Sequence, residues 1–258
     1  GEYEPIDVSL EESLLPIAPA GAHWSTAEDM ARYLITQLDV GVAPDGERVV
    51  SEENLRETWE PQVQVSATES YGLGWFVGEY HGLERLYHGG NTLGFSSELV
   101  FLPEVDLGII VLANGQATNA FNGAVIERML ELVFDRPATS ASSLAFVIEQ
   151  TEQSIAQSQE QIQDAVDPAA VEAFVGTYSN AALGELELEL VDGQLFADAG
   201  EFRVELLPVN DRQGEFDGYV SYGAPLTGLP FELETGDDGE EQIVVGSGAV
   251  SYTFERVE

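Results

Sequence analysis

The sequence predicts an α+β fold, an antiparallel sheet with helices packed on it, followed by a small all-β, barrel-like domain. Three observations predict it. Apolar residues recur with a helical period after Ser25 and again over Asn119–Phe134. Between them, from Tyr71, the period changes to strand-like runs joined by short connections, and short connections favour antiparallel pairing. From Gly176 onward, short alternating strands separated by Gly and Asp turns take over.

Residues 1–24 are Pro-rich and irregular and read as a loop leading into a helix. Ser25 and Glu28 stand at capping-box spacing, and Met30, Ala31, Leu34, Ile35 and Leu38 follow with helical period until Gly41 stops the run. Ser51 opens a shorter helix through Trp59, and Pro61 closes it. YGLGWFVGEY from Tyr71 reads as a strand, HGLE as a turn and RLYHGG as a second strand. Ser97–Leu102 and Leu107–Ala113 make two more, joined through Pro103–Asp106. Phe121, Val125, Met129, Leu132 and Val133 then form the apolar stripe of an amphipathic helix, the face expected to pack on the sheet.

Residues 138–168 are rich in Ser, Gln and Ala and read as a helical connector that ends at Pro168. Beyond it GELELEL alternates apolar and acidic residues as a half-buried strand does, and Asp192-Gly193 is a hairpin signal. Further runs at QLFAD, FRVELLPV, EFDGYVSY, LPFELET, EQIVVG and VSYTFERV give a small barrel or sandwich. The expected organisation is therefore 1–137, a connector at 138–168, and a β domain at 169–258.

Composition narrows the function. With 258 residues, 44% of them hydrophobic, the chain can bury a core. It carries 47 acidic residues against nine basic ones, a formal charge of -38, and every basic residue is arginine. Self-repulsion on that scale is relieved by salt, since the Debye length falls to ~3 Å at 1 M. A cytosolic or secreted protein of a high-salt organism fits best, and an acidic surface for a cationic partner is the other reading. Nothing here would neutralise phosphates, which argues against nucleic acid. No apolar run approaches the ~20 residues of a membrane span. The first residues lack the basic-then-apolar pattern of a signal peptide. No cysteine is present, so disulfides and thiol catalysis are excluded.

The chemistry concentrates at HGGNTLGFSSELVFLPEVDLGIIVLANG, residues 88–115. A lone histidine in a strand is more often packed or solvated than catalytic. Here it stands in an ordered set: APAG at 18–21 with STAEDMARYL at 25–34, YGLGW at 71–75, then the stretch from His88. In that order these segments resemble the C-terminal part of the serine β-lactamase and penicillin-binding-protein superfamily over residues 18–135. The branch most similar is the class C β-lactamase, D-aminopeptidase and esterase group. The resemblance implies that His88 takes the place of the lysine in the family's third motif, on a strand lining the active site. There it would favour developing negative charge or move a proton. Gly89 and Gly90 would let substrate lie along the strand, and the Asn91 N–H would be an oxyanion donor. No cofactor and no metal are implied.

Two family motifs are missing. Ser-x-x-Lys, which supplies the nucleophile, cannot occur in a sequence without lysine. Tyr-x-Asn occurs once, as Tyr178-Ser179-Asn180, after the third motif and so out of family order. The sequence is therefore expected to begin after both motifs and to supply one wall of an active site. Ser96 or Ser97 with His88 and Asp106 makes only a nominal triad, because nothing directs a hydroxyl at the imidazole. His23 and His81 lack metal-site spacing. The pairs Glu11-Glu12 and Asp237-Asp238 read as solvated acidic surface, and Trp24, Trp59 and Trp75 as core. The tail at 169–258, on the pattern FVGTYSNAALGELELELVDGQL, resembles the lipocalin-like β domain appended to this hydrolase group.

Two functions follow from these expectations. In the first, the chain is the C-terminal part of a serine hydrolase that opens amides or esters through an acyl-enzyme. Its substrates would be β-lactams, D-amino-acid peptides or small esters. In the second, it is a non-catalytic interaction module or pseudoenzyme. A sheet lacking its first strands would expose an edge, so a partner chain or self-association is expected.

Overall fold

The computed structural model describes residues 5–115, 118–163, 165–200, 202–223, 226–236, 239–248 and 250–257. The chain forms two compact units, Gly1–Ile148 and Glu149–Glu258.

The first unit opens with a 3-10 helix, Val8–Ile17, and three helices, α1 (Ala18–Gly21), α2 (Ala27–Leu38) and α3 (Glu52–Trp59). Six strands follow: β1 (Val63–Gln64), β2 (Ser70–Tyr71), β3 (Phe76–Tyr80), β4 (Leu83–Thr92), β5 (Phe95–Leu102) and β6 (Leu107–Ala113). They lie in the sheet in chain order, each antiparallel to the next. Helix α4 (Asn119–Val133) completes the unit's sheet and helix layers.

Local chemistry sets these boundaries. The cap of α2 is Thr26, one residue later than the Ser25 reading. The Asp29 N–H donates to Thr26 Oγ1 at 3.2 Å, and Thr26 Oγ1 donates back to Asp29 Oδ2 at 3.1 Å. Ser51 caps α3 as its position suggests. The apolar run from Tyr71 is not one strand. It is broken after Tyr71 because Leu73 N–H donates to the Thr58 carbonyl at 3.0 Å, tying the chain to the end of α3. A Cβ on Gly72 would stand 2.7 Å from that same oxygen, so only glycine lets the backbone approach so closely. The β4–β5 hairpin turns through Leu93-Gly94, with Gly94 at φ 85°.

The sheet is covered on both faces. Leu99 and Phe101 of β5 join Leu34, Leu55, Trp59, Trp75 and Leu86 under α2 and α3. Val100 and Leu102 join Tyr80, Ile109, Ile126 and Leu130 under α4. The α4 stripe expected to pack on the sheet does not. Phe121, Met129, Leu132 and Val133 are exposed, and the buried face is Asn122, Ile126, Leu130 and Glu131. Two polar residues select that face. Asn122 donates to Ser96 Oγ of β5 at 2.8 Å. The Glu131 carboxylate accepts the N–H and hydroxyl hydrogens of both Thr139 and Ser140, at 2.7 to 2.9 Å.

Helix α5 (Ser140–Gln161) carries the chain from one unit to the other. The second unit has a short helix α6 (Pro168–Val171) and eight strands. These are β7 (Gly176–Asn180), β8 (Gly184–Val191), β9 (Gln194–Asp198), β10 (Arg203–Asn210), β11 (Phe216–Tyr222), β12 (Pro230–Thr235), β13 (Glu241–Ser247) and β14 (Val250–Arg256). They form a closed antiparallel barrel, the last strand pairing with the first through Glu255↔Ser179 and Arg256↔Tyr178. The β8–β9 turn is Asp192-Gly193, both residues at positive φ. Inward residues of successive strands, among them Leu186, Leu188, Leu195, Leu206, Ile243 and Phe254, fill the interior. Glu185 and Glu187, the alternate positions of β8, are exposed.

Candidate active site

The β3–β4 ladder reaches Phe76↔Tyr87 and stops, while β4 runs on through Thr92 beside β5. From His88 onward, one edge of β4 has no strand neighbour among the described residues. The His88 ring is pinned there on both nitrogens. Nδ1 lies 2.7 Å from the Gly89 carbonyl oxygen, and Nε2 lies 3.0 Å from the Tyr71 hydroxyl. A carbonyl can only accept, so Nδ1 carries the hydrogen, and the neutral ring accepts the Tyr71 O–H at Nε2. The Phe76 ring packs 5.7 Å away and also touches Tyr71.

Gly89, Gly90 and Asn91 sit opposite Glu98, Ser97 and Ser96. A Cβ on Gly89 would stand 2.7 Å from Glu98 Oε2, and one on Gly90 3.0 Å from Ser97 Oγ. The glycines thus make room for the neighbouring strand's own side chains, a reason that sequence reasoning did not supply. Opposite residues of an antiparallel pair alternate between exchanging hydrogen bonds and not. The two-residue turn makes Thr92 and Phe95 an exchanging pair. Asn91 opposite Ser96 is then a non-exchanging one, and its N–H points away from β5 toward the open edge.

The other face of β4 carries a titratable cluster that sequence reasoning missed. Tyr87 donates a short hydrogen bond to Glu69 Oε1. Burial pushes the Tyr87 hydroxyl up to about 12, and the hydrogen bond to Glu69 and that carboxylate's charge add to it. Burial also raises the Glu98 carboxyl, against the opposing pull of Arg85 and His88. Alternation along β4 placed these groups, but its signal was weak because glycine occupies two of the positions.

In front of β4 lies an open cavity of about 940 Å³, whose lining includes His88, Gly89, Gly90 and Asn91. Trp24, Tyr33, Trp75 and Phe95 contribute aromatic rings to its wall. Trp75 is buried, whereas Trp24, read from sequence as core, is 59% exposed and makes an edge contact with Phe95. Trp59 is core, as expected. Glu11, read as solvated surface, is half-buried and lines the cavity. Its Oε1 is buried and has no hydrogen-bond partner among the described residues. Glu12 is exposed, and Asp237-Asp238 lies outside the described residues.

The remaining candidates stay apart. Ser96 is buried against Asn122 and Thr118. Asp106 follows the far end of β5, roughly 20 Å of strand away at ~3.3 Å per residue, so the nominal triad does not assemble. His81 occupies the β3–β4 turn at φ 50°, before the start of β4 and away from His88 in the middle of that strand. Tyr178 is fully buried in the barrel and donates to the Phe174 carbonyl at 2.7 Å, a structural role. Among the described residues no three His, Asp or Glu side chains group as metal ligands, and no helix is long and apolar enough to cross a membrane.

Comparison with known proteins bears on the same region. The sequence profile named Beta-lactamase matches residues 2–134, just over half of the chain. The unguisins hydrolase ungD' of Aspergillus campestris is 24% identical over 143 residues, covering 52% of this chain and 26% of that protein. Penicillin-binding protein 4 of Amycolatopsis lactamdurans is 31% identical over 113 residues, covering 40% of this chain and 28% of that protein. The chain thus spans about a quarter of the length of these relatives. Among solved structures, an octameric penicillin-binding protein homologue from Pyrococcus abyssi aligns with a TM-score of 0.40 and 16% identity. That alignment covers 89% of this chain and 46% of the other. On the profile match, which contains the whole β4 site, the chain belongs to the beta-lactamase family.

Proposed function

We propose that the sheet unit supplies one wall of an acyl-transfer site in a serine hydrolase acting on amides or esters. The observation that carries this reading is the open edge of β4, where His88 begins a strand segment bordering the cavity and the Asn91 N–H faces outward. An extended substrate laid along that edge would continue the sheet. The Asn91 N–H would donate to the carbonyl oxygen as it becomes an oxyanion, a kind of contact worth about 3–4 kcal/mol of barrier. His88 has both nitrogens engaged, so in our reading it acts through its fixed position, and proton transfer would first require release from Tyr71. The nucleophile would come from a Ser-x-x-Lys segment that this lysine-free sequence does not contain. The acidic composition suits work at high salt.

The lack of lysine also favours a second reading, in which this chain acting alone binds without turnover. One measurement separates the two: intact mass after treatment with a fluorophosphonate in molar KCl, for the chain alone and for the chain joined to a segment bearing Ser-x-x-Lys and Tyr-x-Asn. The hydrolase reading expects no adduct on the first and one stoichiometric adduct, on the added serine, in the second. An adduct on a serine of this chain would overturn our account of the nucleophile. No adduct in either sample would leave the binding module.

A further inference from the structure

We propose that Asn114-Gly115, just past the end of β6, is a site of spontaneous deamidation, which turns an uncharged residue of the cavity lining into a carboxylate. Water is the only co-reactant, and the reaction does not depend on whether the cavity turns substrate over.

The sequence contains two Asn-Gly dipeptides, Asn114-Gly115 and Asn122-Gly123. Glycine after asparagine matters because it has no Cβ to screen its backbone nitrogen. That nitrogen can attack the asparagine Cγ. A bond forms from the glycine nitrogen to Cγ, the bond from Cγ to Nδ2 breaks, and ammonia leaves with the proton of the glycine N–H. A five-membered succinimide remains. Water opens it at either carbonyl and leaves aspartate or isoaspartate. Asparagine and water have then become an acidic residue and ammonia.

The fold treats the two dipeptides in opposite ways. Asn122 is fully buried within α4, and its Nδ2 donates to Ser96 Oγ at 2.8 Å. Its own N–H is bonded to the Thr118 carbonyl at 2.9 Å. Ring closure there would break the bond to Ser96 and distort a helical turn.

Asn114 has no such restraint. The β6 ladder ends with Ala113 opposite Ser96, and Asn114 and Gly115 form a bend beyond it. The Asn114 side chain is exposed. Among the described residues no hydrogen bond engages its amide or the Gly115 N–H. The Gly115 carbonyl accepts the Thr118 hydroxyl at 3.2 Å, so the bend is tied at one end while the attacking nitrogen stays free.

Asn114 also belongs to the cavity lining, which already includes the carboxylates of Glu11 and Asp29. Deamidation adds a third. Isoaspartate further inserts one carbon into the main chain where β6 ends. The cavity therefore becomes more anionic as the protein ages.

The test is peptide mapping by mass spectrometry of the whole chain, held in mildly alkaline molar KCl, once folded and once in urea. In the folded chain the Asn114 peptide should become about 1 Da heavier and separate into aspartyl and isoaspartyl forms. Asn122 should react at least about tenfold more slowly, because its helix and its bond to Ser96 must open first. In urea the two rates should come within about twofold of each other, since only the fold distinguishes the dipeptides. Gly115→Ala, which puts a Cβ beside the attacking nitrogen, should slow Asn114 about tenfold and leave Asn122 as it was. An Asn114 that stays intact in the folded chain while it reacts in urea would overturn the proposal. So would equal rates at the two sites in the folded chain, or an unchanged rate at Asn114 in Gly115→Ala.

Discussion

The sheet unit and the barrel unit use their backbone and polar groups in opposite ways. Every barrel strand is paired on both sides, the interior is filled by apolar side chains, and its buried polar Ser221 is hydrogen-bonded on both sides. The sheet unit ends in two edges, and β4 has an open segment besides. The three buried polar atoms without a partner among the described residues, Glu11 Oε1, Arg85 Nε and Asn122 Oδ1, all belong to the sheet unit. Unmade contacts cost stability, and native proteins concentrate such departures at sites that meet something else. The contrast accords with our proposal that substrate meets the sheet unit.

The largest effect that sharpens this contrast is a cavity in the barrel. Leu195 is fully buried in β9, and Leu195→Ala should destabilise the barrel by about 2–5 kcal/mol. Hydrogen exchange in urea should accelerate through β8, β9 and β10 while β4 and β5 keep their protection. Equal acceleration in both units would show that they unfold together and would dissolve the contrast.

A smaller, pH-dependent effect belongs to the sheet unit. Burial alone would push the Glu131 carboxyl up, but the hydrogen bonds from Thr139 and Ser140 outweigh it and hold it at about 2. A carboxyl with a depressed folded pKa stabilises the fold above its unfolded value and loses that contribution as pH falls. The window here runs from about 4.5 down to about 2. Thermal melts in molar salt should show the sheet unit losing stability across that window. Glu131→Gln should flatten the dependence and be less stable at neutral pH. An unchanged acid slope in the variant would remove Glu131 from the account.

How far the sequence led differs along the same line. In the barrel, GELELEL and Asp192-Gly193 announced strand and turn because alternation and turn chemistry are local. Closure was not legible, since the pairing of Glu255 with Ser179 joins residues far apart in the chain. In the sheet unit, His88 stood out by its neighbours, and it lies where β4 runs on past its pairing with β3. Its partner Tyr71 was hidden, because seventeen positions separate them and only the break after β2 brings the hydroxyl to the ring. The α4 stripe was misread for a related reason. Asn122 and Glu131 look like solvent-facing residues until their partners, Ser96 and the start of α5, are in place. Glu11 and Trp24 were misread because a cavity wall has no period of its own.

The smallest effect tests whether the site is preorganised at all. Tyr71→Phe removes one hydroxyl from His88 Nε2 and leaves the Gly89 carbonyl and the Phe76 ring in place. A neutral hydrogen bond of this kind contributes about 0.5–1.5 kcal/mol net, so the fold should survive. The change should appear in the imidazole instead. With Tyr71 present, nitrogen-15 spectra of the neutral ring should show one tautomer, with the hydrogen on Nδ1. Without it, Nε2 can take the hydrogen and meet water, and both tautomers should appear. In a complete enzyme, hydrolysis should then fall by less than about tenfold, a loss in keeping with one hydrogen bond. Unchanged nitrogen shifts in the variant would mean that the Gly89 carbonyl alone orients His88 and that Tyr71 only packs against it.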